Sequence, residues 1–279
     1  MPEVPPNAPT YSAFLVHVDV KKISAGRLKL AAGLAARFDA RLIGVAAEEF
    51  ILPYYGDMSG YVDAGIVDLE RKRIDDDLKG AEKLFTAAMG PKVKSEWRAA
   101  TARPEDWIVR QARAVDIAIM GKPAAAKVVG GLGAMPGEVV MQAGRPLLIV
   151  PQGVSSLEAS SIVIAWKDTR EARRAVLDAM PLLVRAEQVV IAVAGTESAE
   201  DGADDVLRLI QGHGVVKAGV RRAKKVASAS AELMKVADQV GADLIVAGAY
   251  GHSRAREWAF GGVTAELLEQ AKCCCLLSH

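Results

Sequence analysis

The runs DIAIMG (116–121) and DLIVAG (243–248) decide the fold. Each opens on an acid, continues through four apolar residues and closes on a glycine. A short apolar run without strict alternation is how a strand covered on both faces reads. Working outward, the first run leads through a Gly-rich segment and a helical segment into RPLLIVP (145–151), and the second does the same into CCCLLSH (273–279). Upstream, FLVHVD (14–19) matches IVIAWK (162–167), and RLIGVA (41–46) matches VVIAVA (189–194). The acids stand 127 residues apart and the first strands 148 apart, so the first half carries about 21 extra residues, which fall between Glu48 and roughly Arg73. The chain is a repeat.

Each half therefore reads as five strands alternating with four helices. GRLKLAAGLAARF (26–38) and TREARRAVLDAMPLL (169–183) place apolar residues at three- and four-residue spacing. Thr169 is positioned as an N-cap. SASAELMKVADQVGA (228–242) is a further helix, with Ser228 or Ser230 capping it and Gly241 stopping it. The alternation predicts two tandem, doubly wound, parallel α/β domains, 1–151 and 161–279, joined by the linker PQGVSSLEAS (151–160). One sheet per half is expected, rather than a single continuous sheet.

Composition narrows the function. Of 279 residues, 51% are hydrophobic and 25% charged, the balance of a globular protein with a real core. Lys plus Arg is 35 against 34 Asp plus Glu, so no global basic field is available for nucleic acid. Trp97, Trp107, Trp166 and Trp258 are scattered, which argues against a stacking platform. The longest stretch free of charge, Val4 to Val18, contains Pro5, Pro6 and Pro9, so no bilayer-spanning helix is expected. MPEVPPNAPT lacks a basic region followed by an apolar run, so no secretory signal is expected. Three adjacent cysteines, Cys273 to Cys275, make neither a disulfide framework nor a zinc spacing. They read as buried structural thiols of a cytoplasmic protein, with Cys273 and Cys275 pointing one way and Cys274 the other.

In a doubly wound sheet, ligands bind beyond the carboxyl ends of the strands where strand order reverses. The loop after the fourth strand of the second half is GAYGHSRAREWAFGGVT (248–264), and the helix VTAELLEQAK follows directly. Gly248, Gly251, Gly261 and Gly262 let a ligand approach the main chain. Backbone N–H groups at the helix start, from Val263 onward, suit phosphate, and Thr264 adds a hydroxyl. His252, Arg254 and Arg256 supply donor groups. The loop lacks the Gly-Lys-Ser/Thr ending of ordinary NTPases. Glycine-rich turns also occur without a ligand, so spacing alone leaves both readings open.

Gly248-x2-Gly251-x9-Gly261 is similar to the ATP-binding signature of the universal stress protein family, Gly-x2-Gly-x9-Gly-Ser/Thr. From Ser12 to Ser278 the chain resembles a tandem member of that family. The resemblance implies the adenine nucleotide α-hydrolase-like fold, ATP as ligand, and two halves packed as an internal pseudo-dimer through edge strands; a Mg²⁺ ion accompanying the phosphates is compatible with it, and no protein ligand for that ion is visible in the sequence. A further homodimer is compatible with it. Two positions depart from the pattern. Gly262 stands where the family has Ser/Thr, with Thr264 at its second hydroxyl position. Lys167 stands where the family has an acid near the adenosine, with Asp168 beside it as the candidate replacement. The first half keeps that acid as Asp19 but loses the loop. After Gly121 the sequence is KPAAAKVVGGLGAMPGEVV, with Ala124 at the second glycine position and the remaining glycines out of register. That loop reads as degenerate.

Other features are weaker. EEFILPYYGDMSGYVDAG (48–65) holds Phe50, Tyr54, Tyr55 and Tyr61 and is a candidate lid or partner surface, or a loop packed on its own domain. His17 reads as a core histidine with a hydrogen bond, and His213 sits in a Gly-His-Gly turn. RRAKK (221–225) reads as a solvated strand end. No nucleophile motif and no metal-ligand spacing is visible. The leading expectation is a nucleotide-responsive stress protein that is not an enzyme, slow hydrolysis aside, with its nucleotide in the second half. The alternatives are an interaction module of the same fold that binds no nucleotide, and an adenylating or flavin-linked enzyme, whose motifs are missing.

Overall fold

The computed structural model describes residues 8–19, 23–51, 64–91, 93–122, 132–195, 199–223, 228–249 and 263–279. The first half runs β1 (Ala13–His17), α1 (Ile23–Phe38), β2 (Arg41–Glu48), α2 (Ala64–Ala88), β3 (Ser95–Thr101), α3 (Pro104–Ala112), β4 (Ile117–Gly121), α4 (Pro136–Gln142) and β5 (Leu147–Val150). The second runs β6 (Ser161–Trp166), α5 (Arg170–Asp178), α6 (Met180–Leu183), β7 (Gln188–Ala194), α7 (Ala203–Gly212), β8 (Ala218–Ala223), α8 (Ala229–Val240), β9 (Leu244–Gly248), α9 (Val263–Gln270) and β10 (Cys274–Ser278). A 3-10 turn at Ala199–Asp201 precedes α7.

Each half is an all-parallel, doubly wound sheet with the same strand order, β3-β2-β1-β4-β5 and β8-β7-β6-β9-β10. The repeat spacing holds in register. Phe14 lies opposite Ile117 and Ile162 opposite Leu244, the same 148- and 127-residue offsets. The second strand is one residue off the sequence match, since Arg41 pairs with Ala13 where Gln188 pairs with Ser161. The two acids that open the matched runs do the same work. Asp116 accepts the backbone N–H groups of Ser12 and Ala13 at 2.6 and 3.0 Å. Asp243 accepts those of Ser160 and Ser161 at 3.0 and 3.2 Å. Each carboxylate satisfies the strand-entry donors that have no ladder partner.

The expectation of one sheet per half is corrected. β5 and β10 pair antiparallel, with Cys275 opposite Ile149, Leu276 opposite Leu148 and Leu277 opposite Leu147. The result is one continuous ten-stranded sheet. The reason is physical: each fifth strand is a short apolar edge with unmet hydrogen bonds, and joining the two removes both edges. The edge pairing implied by the family resemblance is thus present, and 151–160 spans the join between β5 and β6 without regular structure.

The strands alternate between two buried layers that both run across the join. One holds Phe14, Val16, Ile162, Ile164, Val246 and Leu276 under α1, α2, α5, α6 and α7. The other holds Leu15, Ile43, Val163, Ile245, Ile149 and Leu277 under α3, α4, α8 and α9. Thr169 and Ser228 cap α5 and α8 by accepting from Ala172 N and Ala231 N, and Gly241 ends α8 in the left-handed region at φ 61°, as the sequence predicts. The stretch 169–183 is not one helix. It breaks at Ala179, because Pro181 has no N–H to bond back to Leu177 and its ring crowds that carbonyl. No described helix is long and apolar enough to cross a membrane.

Candidate functional site

Strand order reverses between β6 and β9, which lie side by side with Ala165 opposite Ala247. The chain leaves β6 toward β7 and leaves β9 toward β10, so a crevice opens where the two exits diverge. On the β9 side the strand ends at Gly248, packed on the first turn of α5. A Cβ there would stand 2.5 Å from Ala172 N and 2.8 Å from the Glu171 carbonyl carbon. Close strand–helix packing therefore explains this glycine without a ligand. Ala249 continues the line, its N–H donating to Ser278 O at 2.7 Å and its carbonyl meeting His279 Nδ1 at 3.0 Å.

Gly251, His252, Gly261 and Gly262 lie outside the described residues. The chain is described again at Val263, the half-buried first residue of α9, followed by Thr264, which is buried. Glu266, in the same first turn, accepts from Ser230 Oγ, and from Ser228 Oγ at 3.4 Å. Sequence reading singled out the serines as caps of α8 but not their link to α9. It is this link that sets the starts of α8 and α9 side by side at the carboxyl end of the sheet.

On the β6 side stand Trp166, Lys167 and Asp168. Asp168 is exposed and its Oδ1 takes two bonds from Arg173, at 2.9 and 2.6 Å. Trp166 is buried and donates its indole N–H to Asp201 O at 2.8 Å. Asp201 and Asp204 both hold Arg222, from the basic run at the end of β8, and the Arg222 bonds keep the Asp201 carboxyl below its usual range. Gly202, at φ 72°, lets the chain turn beside Asp168 and Trp166 before α7. Sequence reading treated 221–225 as a solvated strand end; Arg222 is instead the brace that closes this side.

The matching crevice of the first half is built differently. Arg27, buried on α1, donates Nε to His17 O at 3.0 Å and Nη2 to Ser24 Oγ and Asp19 Oδ2 at 2.7 and 3.2 Å. Its Nη1 lies where a Cβ on Gly121 would project, 2.2 Å away. Ser24 also donates to Asp19. Burial opposes ionisation of Asp19, yet Arg27 and Ser24 hold its carboxyl below the usual value. His17 donates Nε2–H to Leu132 O at 2.7 Å, as a satisfied core histidine. The acid that the resemblance assigns to the adenosine side is thus engaged by the chain itself. Positions 148 residues on, Ala172 and Ala175, carry no such side chains.

Of 48–65, residues 52–63 lie outside the described residues, and Phe50 stacks against Arg71. Cys274 and Cys275 are buried on opposite layers, with Cys273 on the layer of Cys275. Burial pushes the Cys273 thiol up to about 11 and the Cys274 thiol to about 12. Among the described residues no His, Cys, Asp and Glu cluster is set to hold a metal.

None of the curated proteins matches the sequence. The chain is similar in structure to a universal stress protein from Archaeoglobus fulgidus, with a TM-score of 0.68 and 16% identity over 95% of this chain and 97% of that one. A Pseudomonas aeruginosa UCBPP-PA14 protein, provisionally assigned to the same family, gives 0.54 and 14% over 96% and 93%. A protein of unknown function from Pseudomonas aeruginosa PAO1 gives 0.53 and 14% over 96% and 92%. At these identities the likeness is one of fold. The model of the Universal stress protein family matches residues 187–279. Residues 187–279 thus match the universal stress protein family, within a polypeptide that has the universal stress protein fold along nearly its whole length.

Proposed function

We propose that the chain is an adenine-nucleotide-binding regulatory protein, with ATP held in the second half at the β6–β9 crevice. The observation that carries this reading is the start of α9. It follows Gly261 and Gly262 directly, at the carboxyl end of β9, with Thr264 in its first turn. That is where free N–H groups and the helix dipole meet an anion. The base would extend toward β6 and β7, over Lys167, Asp168 and Gly202. Phosphate fits the residues present. A Mg²⁺ would have to rely on phosphate oxygens and water. Three unpaired thiols suit the reducing cytoplasm.

Titration of the whole chain with ATP tests this. One site per chain is expected. Gly251→Val or Gly261→Val should weaken it at least tenfold, about 1.4 kcal/mol, by placing a Cβ where phosphate approaches. Ala124→Gly should create no second site. Failure of ATP, ADP and AMP alike to shift the melting temperature, in protein that carries no nucleotide from expression, refutes the proposal. The second reading, an interaction module without nucleotide, is favoured by one observation, the capture of Asp168 by Arg173. Under it, 48–65 is the candidate partner surface.

A further inference from the structure

Strand order in the first half reverses between β1 and β4, so its crevice lies where those two strands end. Arg27 fills the floor of it. The guanidinium spans from the carbonyl of His17, the last residue of β1, to Gly121, the last residue of β4, where a Cβ would meet Nη1 at 2.2 Å and Cζ at 3.5 Å. Asp19 and Ser24 close round Nη2 at 3.2 and 2.7 Å. In the second half Ser24 and Arg27 correspond to Ala172 and Ala175, so α5 sends no guanidinium there, and its backbone comes directly against Gly248.

The start of α4 faces the same crevice, because Leu132, shortly before it, is tied to the end of β1 by His17 at 2.7 Å. Met135, directly before α4, donates its N–H to Glu105 Oε1 at 2.9 Å, and Pro136, the first residue of the helix, has no N–H to give. Glu105 is buried as the second residue of α3. Arg103 holds it there, with Nε 3.4 Å from Glu105 Oε2 and Nη2 on Glu138 in the first turn of α4. The second residue of α8 is Ser230, also buried, whose hydroxyl bonds Glu266 and brings no charge of its own. A helix start draws an anion through its unmet N–H groups. In the first half a carboxylate of the chain already serves it.

We infer that Arg27 and Glu105 occupy the first half's crevice as a built-in cation and anion and exclude a nucleotide from it, which makes them the specificity-determining residues that leave one site per chain. The occupancy stands by itself; the exclusion of a nucleotide in particular rests on the reading of the second half given above. A phosphate at α4 would meet the carboxylates of Glu105 and Glu138, with the N–H of Met135 already taken, and like charges oppose it. A ligand entering over β1 and β4 would displace a guanidinium bonded to His17, Asp19 and Ser24, and leave those groups unsatisfied.

Removing each occupant from the full chain tests this. Arg27→Ala should lower the melting temperature, and millimolar ethylguanidinium, which replaces the deleted group, should restore several degrees of it saturably, as a ligand bound only to the folded state does. The parent, with the place filled, should gain nothing, and Asp19→Asn combined with Arg27→Ala should lose the rescue. If Arg27→Ala does not fold alone, refolding with and without ethylguanidinium gives the same readout. Glu105→Ala should speed amide exchange in a peptide covering 132–144 about threefold or more, while Glu105→Gln, which keeps an accepting oxygen, should stay near the parent. No rescue in Arg27→Ala, or unchanged exchange in Glu105→Ala, overturns the occupancy. Photolabelling of the parent with an azido-ATP should mark only peptides of 161–279. Labelling of 13–38 or 132–144 to the same extent overturns the exclusion. Absence of all labelling refutes the nucleotide reading instead, and the rescue then decides the occupancy by itself.

Discussion

His17 donates one ring nitrogen to Leu132 O and lies beside the buried Arg27 guanidinium. Burial first, and Arg27 second, bring its pKa down to about 4. The unfolded chain, titrating near 6.5, then binds more protons between those values. The stabilisation is complete above about pH 6.5 and is lost as pH falls toward 4. Between pH 7.5 and 5 this single group should cost the parent about 2 kcal/mol. Urea unfolding of parent and His17→Gln at both pH values should show that excess only in the parent; equal losses refute it. The cysteines give the opposite expectation, inertness. With their thiols raised by burial, a thiol reagent at pH 8 should react slowly with native protein and fully with unfolded. Cys273→Ala, Cys274→Val and Cys275→Ala together should leave nucleotide binding unchanged and shift stability by a few kcal/mol at most. Pairing Asp116 with Asp243 was legible from spacing alone. Their task at the entry of β1 and β6 was not, because it depends on which N–H groups a strand edge leaves unmet.

At the level of the element, the sequence exposed what is local and concealed what depends on a neighbour. The caps at Thr169, Ser228 and Gly241 were legible because each is a side chain or a φ acting within its own turn. The break between α5 and α6 was also written, in Pro181, but the apolar spacing on either side of it masked the signal. The extra length of the first half was countable; that much of it extends α2 to 25 residues against 10 in α7 was not. Arg27 shows the limit most clearly. It reads as a polar face position of α1, and only the approach of β1 and β4 turns it into a buried brace on Asp19. Glycines divide along the same line. Gly33 lies mid-α1 with nothing near its absent Cβ, whereas at Gly248 the backbone of α5 stands in the way. Gly33→Ala should stabilise by about 0.5–1 kcal/mol. Gly248→Ala should destabilise by about 1–3 kcal/mol, since strand or helix must shift. Melting curves of the two variants should move in opposite directions, and a neutral Gly248→Ala would refute the close contact.

For the molecule as a whole, the question is whether the halves are separable. Strand order, repeat spacing and the acid pairs mark two units. Yet the sheet and both apolar layers run through the β5–β10 seam without interruption. Other ties cross between the halves: Tyr11 Oη donates to Asp178 O at 2.7 Å, and Arg185 Nη1 to Pro9 O at 2.9 Å while its guanidinium lies over Phe38. Removing one half would leave Leu147, Leu148 and Ile149, or Cys275, Leu276 and Leu277, on a bare edge strand. Such an edge is a template for pairing. Antiparallel pairing has local two-fold symmetry, so a fifth strand can pair with its own copy as readily as with its counterpart. Residues 8–151 and 161–279, produced separately, should therefore each form homodimers, and mixing them during refolding should recover the heterodimer. Replacing the edge residue Leu148 or Leu276 by Lys should shift either piece toward monomer, since a charge at the seam opposes burial. Sedimentation velocity on the separate pieces reads this directly. Stable, folded monomers of both at micromolar concentration would mean that the seam is incidental to the fold, and that the halves are held together by the side-chain ties alone.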